Sequence, residues 1–196
     1  MTQWSEHKIA RAIALQTLAR KCVVLVDNCN WTGHECDILA VTTDLRIIDV
    51  EVKISRSDLK ADAKKDKWWH SPIWYYGQER PQATARTHPR KVWKHYYALP
   101  ASIWKPDLLE CLPSKASGVL LLSEGKSEWG PPIYVECVRR ATPNKDAYRL
   151  KPDEVMDIAR LANLRMWESY KRQGDAEAES SRWYQQVRAM TGGLAA

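Results

Sequence analysis

The chain has 196 residues, of which 44% are hydrophobic and 28% charged, and a formal net charge of +6. That length suits one domain, or one domain with a small appendage, and it is enough to bury a core. The apolar runs CVVLV (22–26) and GVLLL (118–122) fall far short of the roughly 20 residues a spanning helix needs, which argues against a membrane protein.

The start, MTQWSEHK, lacks the basic-then-apolar order of a signal peptide. Five cysteines, an odd number and widely spread, fit a reducing cytoplasmic setting better than a disulfide framework. The positive charge is concentrated. Between Val52 and His95 eleven Lys and Arg face four Asp and Glu, so that stretch carries +7 and the rest of the chain −1. A local basic excess of this kind suits a polyanion, although a solvated surface would look the same.

In chain order, residues 5–21 read as a helix with Ser5 as N-cap and Glu6 in the first turn, where a negative charge suits the helix dipole. Ile9, Ala12, Ile13 and Ala19 supply its apolar stripe, and Glu6 projects from the end of that buried face. CVVLVD (22–27), CDILAVT (36–42) and LRIIDVEVKI (45–54) read as strands. Thr43 and Asp44 turn the last two into a hairpin. A helix over 57–69 is expected, capped by Ser57.

The stretch 70–91 reads as a long loop. A strand over 92–99, a short helix between Ala101 and Cys111, and strands over 118–123 and 133–140 follow. The pattern then predicts a helix over 153–171, a polar break near Gly174, a last helix from about Ser180 to Met190 and a frayed tail. The expected organisation is a domain over 1–172 and a C-terminal helical extension over 173–196. The alternation of elements predicts an α/β fold, a central mixed sheet flanked by helices with C-terminal helices added.

The chemistry concentrates on the third strand. Its two-residue alternation puts Arg46, Ile48, Val50, Val52 and Ile54 on one face and Leu45, Ile47, Asp49, Glu51 and Lys53 on the other. A doubly buried strand should not carry three charges without partners or purpose. The hairpin sets Asp37 across from Val50 or Glu51. Two neighbouring carboxylates repel unless a cation sits between them, and Mg²⁺ takes such oxygen ligands. Lys53 points to the same side, where an ammonium can hold a phosphate oxygen or orient a water.

Asp37, a gap, then Glu51-Val52-Lys53 on the adjacent strand resembles the signature of the PD-(D/E)XK nuclease superfamily. Cys36 stands where many members have Pro. The resemblance implies a restriction-endonuclease-like core. It implies Asp37, Glu51 and the Val52 carbonyl as ligands of Mg²⁺, with Mn²⁺ able to substitute, and Lys53 as the catalytic lysine. Glu6 matches the acid that many members add from the first helix; a plain first-turn acid is the competing reading.

The implied activity is metal-dependent hydrolysis of DNA phosphodiesters, leaving a 5′-phosphate and a 3′-hydroxyl. The implied partner is DNA, double-stranded or with single-stranded ends. A narrower likeness spans most of residues 4–168. Ser5 to Ala12, the EVK strand followed by S-x-x-D-L-x-x-D, and the ARLANLRMW helix look like MmcB-type DNA-repair proteins and related phage-encoded nucleases, although 68–92 is longer here.

Around that site, Lys60 and Lys64 are the best phosphate contacts on the second helix, whose Asp58, Asp62 and Asp66 otherwise read with the lysines as a solvated, ion-paired surface. Arg80, Arg86, Arg90 and Lys91 extend the basic region. WWHSPIWYY (68–76) would stack bases, or fill a core or homo-oligomer interface. Glu35 and Asp49 read as outer or second-metal ligands, or as structural acids. Cys29, His34 and Cys36 lack a fourth ligand and the paired C-x2-C knuckle, so zinc is not expected. Ser-His-Asp and P-loop chemistry have no motif here. The rival to a nuclease is a nucleic-acid-binding or complex-assembly protein without turnover.

Overall fold

The computed structural model describes residues 4–70, 72, 82–125 and 130–192. Helix α1 (Glu6–Ile13) is capped by the Ser5 hydroxyl, which accepts from the Lys8 amide, and it continues through a wide π turn at Ala14–Leu18. Strands β1 (Cys22–Cys29), β2 (Cys36–Thr42) and β3 (Ile47–Val52) form an antiparallel meander. At the β2–β3 turn Leu45 takes a positive φ of 60°, and the Thr42 hydroxyl donates to Asp44 and accepts from the Arg46 amide.

Helix α2 (Arg56–Ala61) follows, then a two-stranded ribbon of β4 (Trp69–His70) and β5 (Thr84–Ala85). Strands β6 (Val92–Pro100), β7 (Gly118–Glu124) and β8 (Ile133–Arg139) complete a six-stranded sheet in the order β1-β2-β3-β6-β7-β8. The β3–β6 and β6–β7 pairs are parallel and the rest antiparallel, so the fold is α/β with a mixed central sheet. No helix among the described residues is long and apolar enough to cross a membrane.

One sheet face buries Ile38, Ala40, Ile48, Val50, Val52, Ala98 and Leu120 beneath Ile9 and Ile13 of α1. The other carries two apolar clusters. Leu39, Val41 and Ile47 meet Ile158 of helix α3 (Pro152–Gly192), while Tyr97, Leu99 and Val119 meet Leu59, Trp68 and Leu108. The charged residues of β3 share this second face and fall between its two apolar clusters, so packing on either side fixes where they sit.

Three expected elements differ. The helix predicted over 57–69 is capped by Ser55, not Ser57, and ends at Ala61. It passes into 3-10 turns at Asp62–Lys64 and Asp66–Trp68, separated by Lys65 in extended conformation. Burying the Trp68 ring, 1% exposed, bends the chain back onto the sheet. The short helix after Ala101 is two 3-10 pieces, Ala101–Ile103 and Pro106–Cys111.

The break expected near Gly174 does not occur. α3 runs unbroken for 41 residues. Side-chain bonds from Lys171 to Asp175 and from Gln173 to Glu177 straddle the glycine. Each is worth a few tenths of a kcal/mol, partly offsetting the ~1 kcal/mol that glycine costs in a helix.

Candidate metal and phosphate site

The β2–β3 register pairs Ile38 with Val50, and one further step sets Asp37 opposite Glu51. Asp37 is half-buried, and its Oδ2 accepts from the Val52 amide at 2.6 Å. Burial, the Glu51 carboxylate and, more weakly, Glu6 push its pKa up to about 6, against the pull of the Val52 bond and Lys53. Glu6 is exposed at the start of α1. With Asp37, Val52 and Asp27 it lines a cleft of about 540 Å³, which Ser169 and Arg172 of α3 also line.

Glu51 is 1% exposed and points away from this cleft's lining into a box of charges. Its Oε2 lies 3.0 Å from Lys53 Nζ and 3.5 Å from Lys65 Nζ, and its Oε1 lies 2.5 Å from Lys67 Nζ. Asp62, fully buried, is the second anion of the box. Its Oδ1 meets Lys65 at 2.9 Å and Lys53 at 3.4 Å, while its Oδ2 accepts from the Tyr97 hydroxyl at 2.6 Å and the Trp68 indole at 3.0 Å.

Burial alone would raise Asp62, yet Lys67, Tyr97 and Lys53 hold its pKa well below the usual carboxylate range. In Glu51, too, Lys67 and Lys53 outweigh burial and lower the pKa. Burial would lower Lys53, but Glu51 and Asp62 raise it, so the ammonium stays charged. Three cations against two anions leave the box one positive charge in excess, before Asp37 is counted.

Sequence reasoning missed Asp62, Lys65 and Lys67. A continuous helix over 57–69 leaves them on a solvated stripe, whereas the extended Lys65 turns them inward. Lys60 and Lys64, expected nearest the site, are exposed and make no ion pair with Glu51 or Asp62. Arg86 is held on the β4–β5 ribbon, its amide donating to the Trp68 carbonyl and its guanidinium to the Trp69 carbonyl, with His70 Nδ1 beside it. Val92 pairs with Ile47, four strand residues or about 13 Å from Glu51, and Arg90 and Lys91 lie beyond it. There Lys91 stacks over Trp31 at 3.9 Å. Arg80 and the aromatics Trp74, Tyr75 and Tyr76 lie outside the described residues.

Asp49, two residues before Glu51, is fully buried and meets different partners. Its Oδ2 lies 3.1 Å from His34 Nε2 and 3.9 Å from His95 Nε2. Burial pushes the His95 pKa down to about 3 despite Asp49, so that imidazole is neutral. Glu35 is exposed.

No protein-family model and no curated protein matches this chain. A solved structure of a protein of unknown function from Silicibacter pomeroyi is similar, with a TM-score of 0.53 and 19% identity over 90% of this chain and 96% of that one. At that identity the likeness is one of fold.

Proposed function

We propose that the protein is a divalent-metal-dependent nuclease acting on DNA, with a restriction-endonuclease-like core of the PD-(D/E)XK type. The observation that supports this best is the crowding of Asp37. A half-buried carboxyl raised to about 6 by burial and by neighbouring acids is a place where a cation relieves repulsion. The oxygen donors fit a hard ion: Asp37 and the Val52 carbonyl, with Glu6 across the cleft, would hold Mg²⁺ or Mn²⁺, and Glu51 would join them by turning from its lysine partners toward Asp37. The ion supplies Lewis-acid polarisation of a phosphate and acidification of a bound water.

The chain's own contribution is electrostatic. Lys53, held charged by Glu51 and Asp62, offers an ammonium next to the acids where a phosphoryl oxygen would gain negative charge.

The test is a cleavage assay on supercoiled, linear and single-stranded DNA with Mg²⁺, Mn²⁺ or EDTA. Cutting is expected only with metal, and Glu51→Gln and Lys53→Met are expected to lose at least about 100-fold in rate while keeping the folded circular-dichroism spectrum. One observation favours a second reading. Glu51 is already matched by three lysines, as suits a nucleic-acid-binding protein without turnover. DNA binding that survives EDTA, with no cutting under any condition, would select it.

A further inference from the structure

Asp49 presents a problem that the box next to it does not. It is fully buried, its Oδ1 has no hydrogen-bond partner, and no lysine or arginine among the described residues reaches it. A buried carboxylate in that position is costly unless something positive joins it. The groups around it are metal donors. His34 Nε2, Cys36 Sγ and an Asp49 carboxylate oxygen all lie within 4.8 Å of one another. His34 Nε2 is 3.1 Å from Asp49 Oδ2 and 3.7 Å from Cys36 Sγ. Ligand atoms around a tetrahedral zinc, bound at about 2.0–2.3 Å, are separated by about 3.3–3.7 Å.

Both imidazoles present Nε2 to Asp49. His95 is oriented by its Nδ1, 3.0 Å from the Ser117 hydroxyl, while the Thr32 hydroxyl, which donates to the His34 carbonyl, lies 3.2 Å from Nδ1 and 3.4 Å from Nε2 of His34. Fixing one ring nitrogen to orient the other is how metal-binding histidines are commonly set. His95 Nε2, on a residue 1% exposed, has no hydrogen-bond partner of its own.

We propose that His34, Cys36 and Asp49, with His95 closing in from its present 3.9 Å to Asp49, form a buried site for a borderline transition-metal cation, Zn²⁺ by its chemistry, separate from the Asp37–Glu51 acids. An imidazole, thiolate and carboxylate set selects zinc over Mg²⁺, which prefers oxygen donors and keeps water. Binding replaces the thiol proton, which leaves to solvent. Two neutral imidazoles, one carboxylate and one thiolate then balance the 2+ charge, so the buried site is neutral.

Glu51 also approaches Asp49 and His95, but its oxygens are taken by Lys53, Lys65 and Lys67. His34, 13% exposed at the rim, leaves a route for entry. The bound ion would tie the β1–β2 loop, through His34, and the start of β2, through Cys36, to β3 and β6. It would thereby fix the strand that carries Glu51. Cys29, which pairs with Cys36 across β1 and β2, is not needed.

The test uses the whole chain. The purified protein is assayed for zinc by mass spectrometry, stripped with EDTA, and titrated with Co²⁺ at neutral pH. One equivalent of Co²⁺ is expected to give the visible bands of a tetrahedral ion and a near-ultraviolet thiolate-to-cobalt band, both bleached by Zn²⁺. Cys36→Ser should abolish the near-ultraviolet band. His34→Ala should weaken Co²⁺ binding by at least about tenfold, since loss of a partner behind a ligand alone costs 10–100-fold. Asp37→Asn should keep both signals, which separates this site from the proposed nuclease acids; the outcome does not depend on DNA cleavage. If Cys36→Ser fails to fold, the rim variant His34→Ala decides. A folded protein that takes up no Co²⁺ with a thiolate band, or a band that persists in the folded Cys36→Ser variant, overturns the proposal and leaves the cluster as a hydrogen-bonded network.

Discussion

Glu51 and Asp49 stand two residues apart on β3, on the same sheet face, and both are buried. Their surroundings differ in kind. Glu51 shares three ammonium groups with Asp62, and the indole and phenol donors of Trp68 and Tyr97 complete the Asp62 shell. Asp49 has two imidazoles and a thiol nearby, and one oxygen without a hydrogen-bond partner.

Two of the three cations of the first region, Lys65 and Lys67, arrive together with Asp62 on one short segment, residues 62–67, that folds back directly after α2, and the third, Lys53, directly follows β3. The donors of the second come from three places: the β1–β2 loop, the start of β2 and the middle of β6. A local segment can carry its own counter-charges. A site assembled from distant strands carries neutral ligands and leaves the charge to be supplied from outside.

The largest effect expected from breaking this contrast is on Asp62. Asp62→Ala leaves lysines, an indole and a phenol without their acceptor, and should cost about 3–5 kcal/mol in urea denaturation. Asp49→Asn in EDTA-treated protein should cost less than about 1 kcal/mol, because the amide keeps the shape and removes an unmatched charge. Equal losses would erase the distinction between the two regions.

Next in size is the response to pH. The Asp62 and Glu51 pKa values are lowered in the folded state. Their stabilisation is therefore complete above the ordinary carboxylate range near pH 4 and is lost as the pH falls below it. Asp37 has the opposite sign. Raised to about 6, its carboxylate destabilises the metal-free fold above pH 6, and the penalty fades between about pH 6 and 4. Asp37→Asn should thus stabilise the EDTA-treated protein by about 1–2 kcal/mol at pH 8 and by nothing measurable at pH 3.5, allowing for its partial exposure. A stabilisation independent of pH would mean that its charge is already compensated.

The smallest effect is at Gly174, where an added Cβ meets nothing within 4 Å. Gly174→Ala should strengthen the helix locally by up to about 1 kcal/mol, slowing amide exchange over roughly residues 168–180 without moving the global unfolding midpoint.

The difference between the two regions also marks what was legible in the sequence. The β2–β3 hairpin, the face shared by Asp49, Glu51 and Lys53, and the approach of Asp37 to Glu51 follow from a tight turn and a period of two, both local. The box was not legible, because the apolar spacing of 57–69 suits an unbroken helix and nothing within it signals the extended Lys65. The Asp49 pocket was half legible. Cys29, His34 and Cys36 stood out but lacked a fourth donor, and the fold supplies Asp49 and His95. His95 reaches Asp49 through a parallel pairing across an intervening stretch of about forty residues, a register no local pattern specifies.

Helix α3 gives the Asp37 cleft an unusual wall. Val155, Ile158 and Leu161 bed the helix on the sheet, and Arg165 donates to the Asn28 carbonyl. From Met166 through Trp183 and Tyr184 its side chains are exposed, yet Ser169 and Arg172 form one side of the cleft. The helix is thus a beam clamped at one end, and the wall lies just beyond the clamp. From Gly174 to Gly192 the backbone extends a further 27 Å or so. One wall of the cleft between α1 and α3 is therefore formed by a stretch of helix whose side chains are exposed.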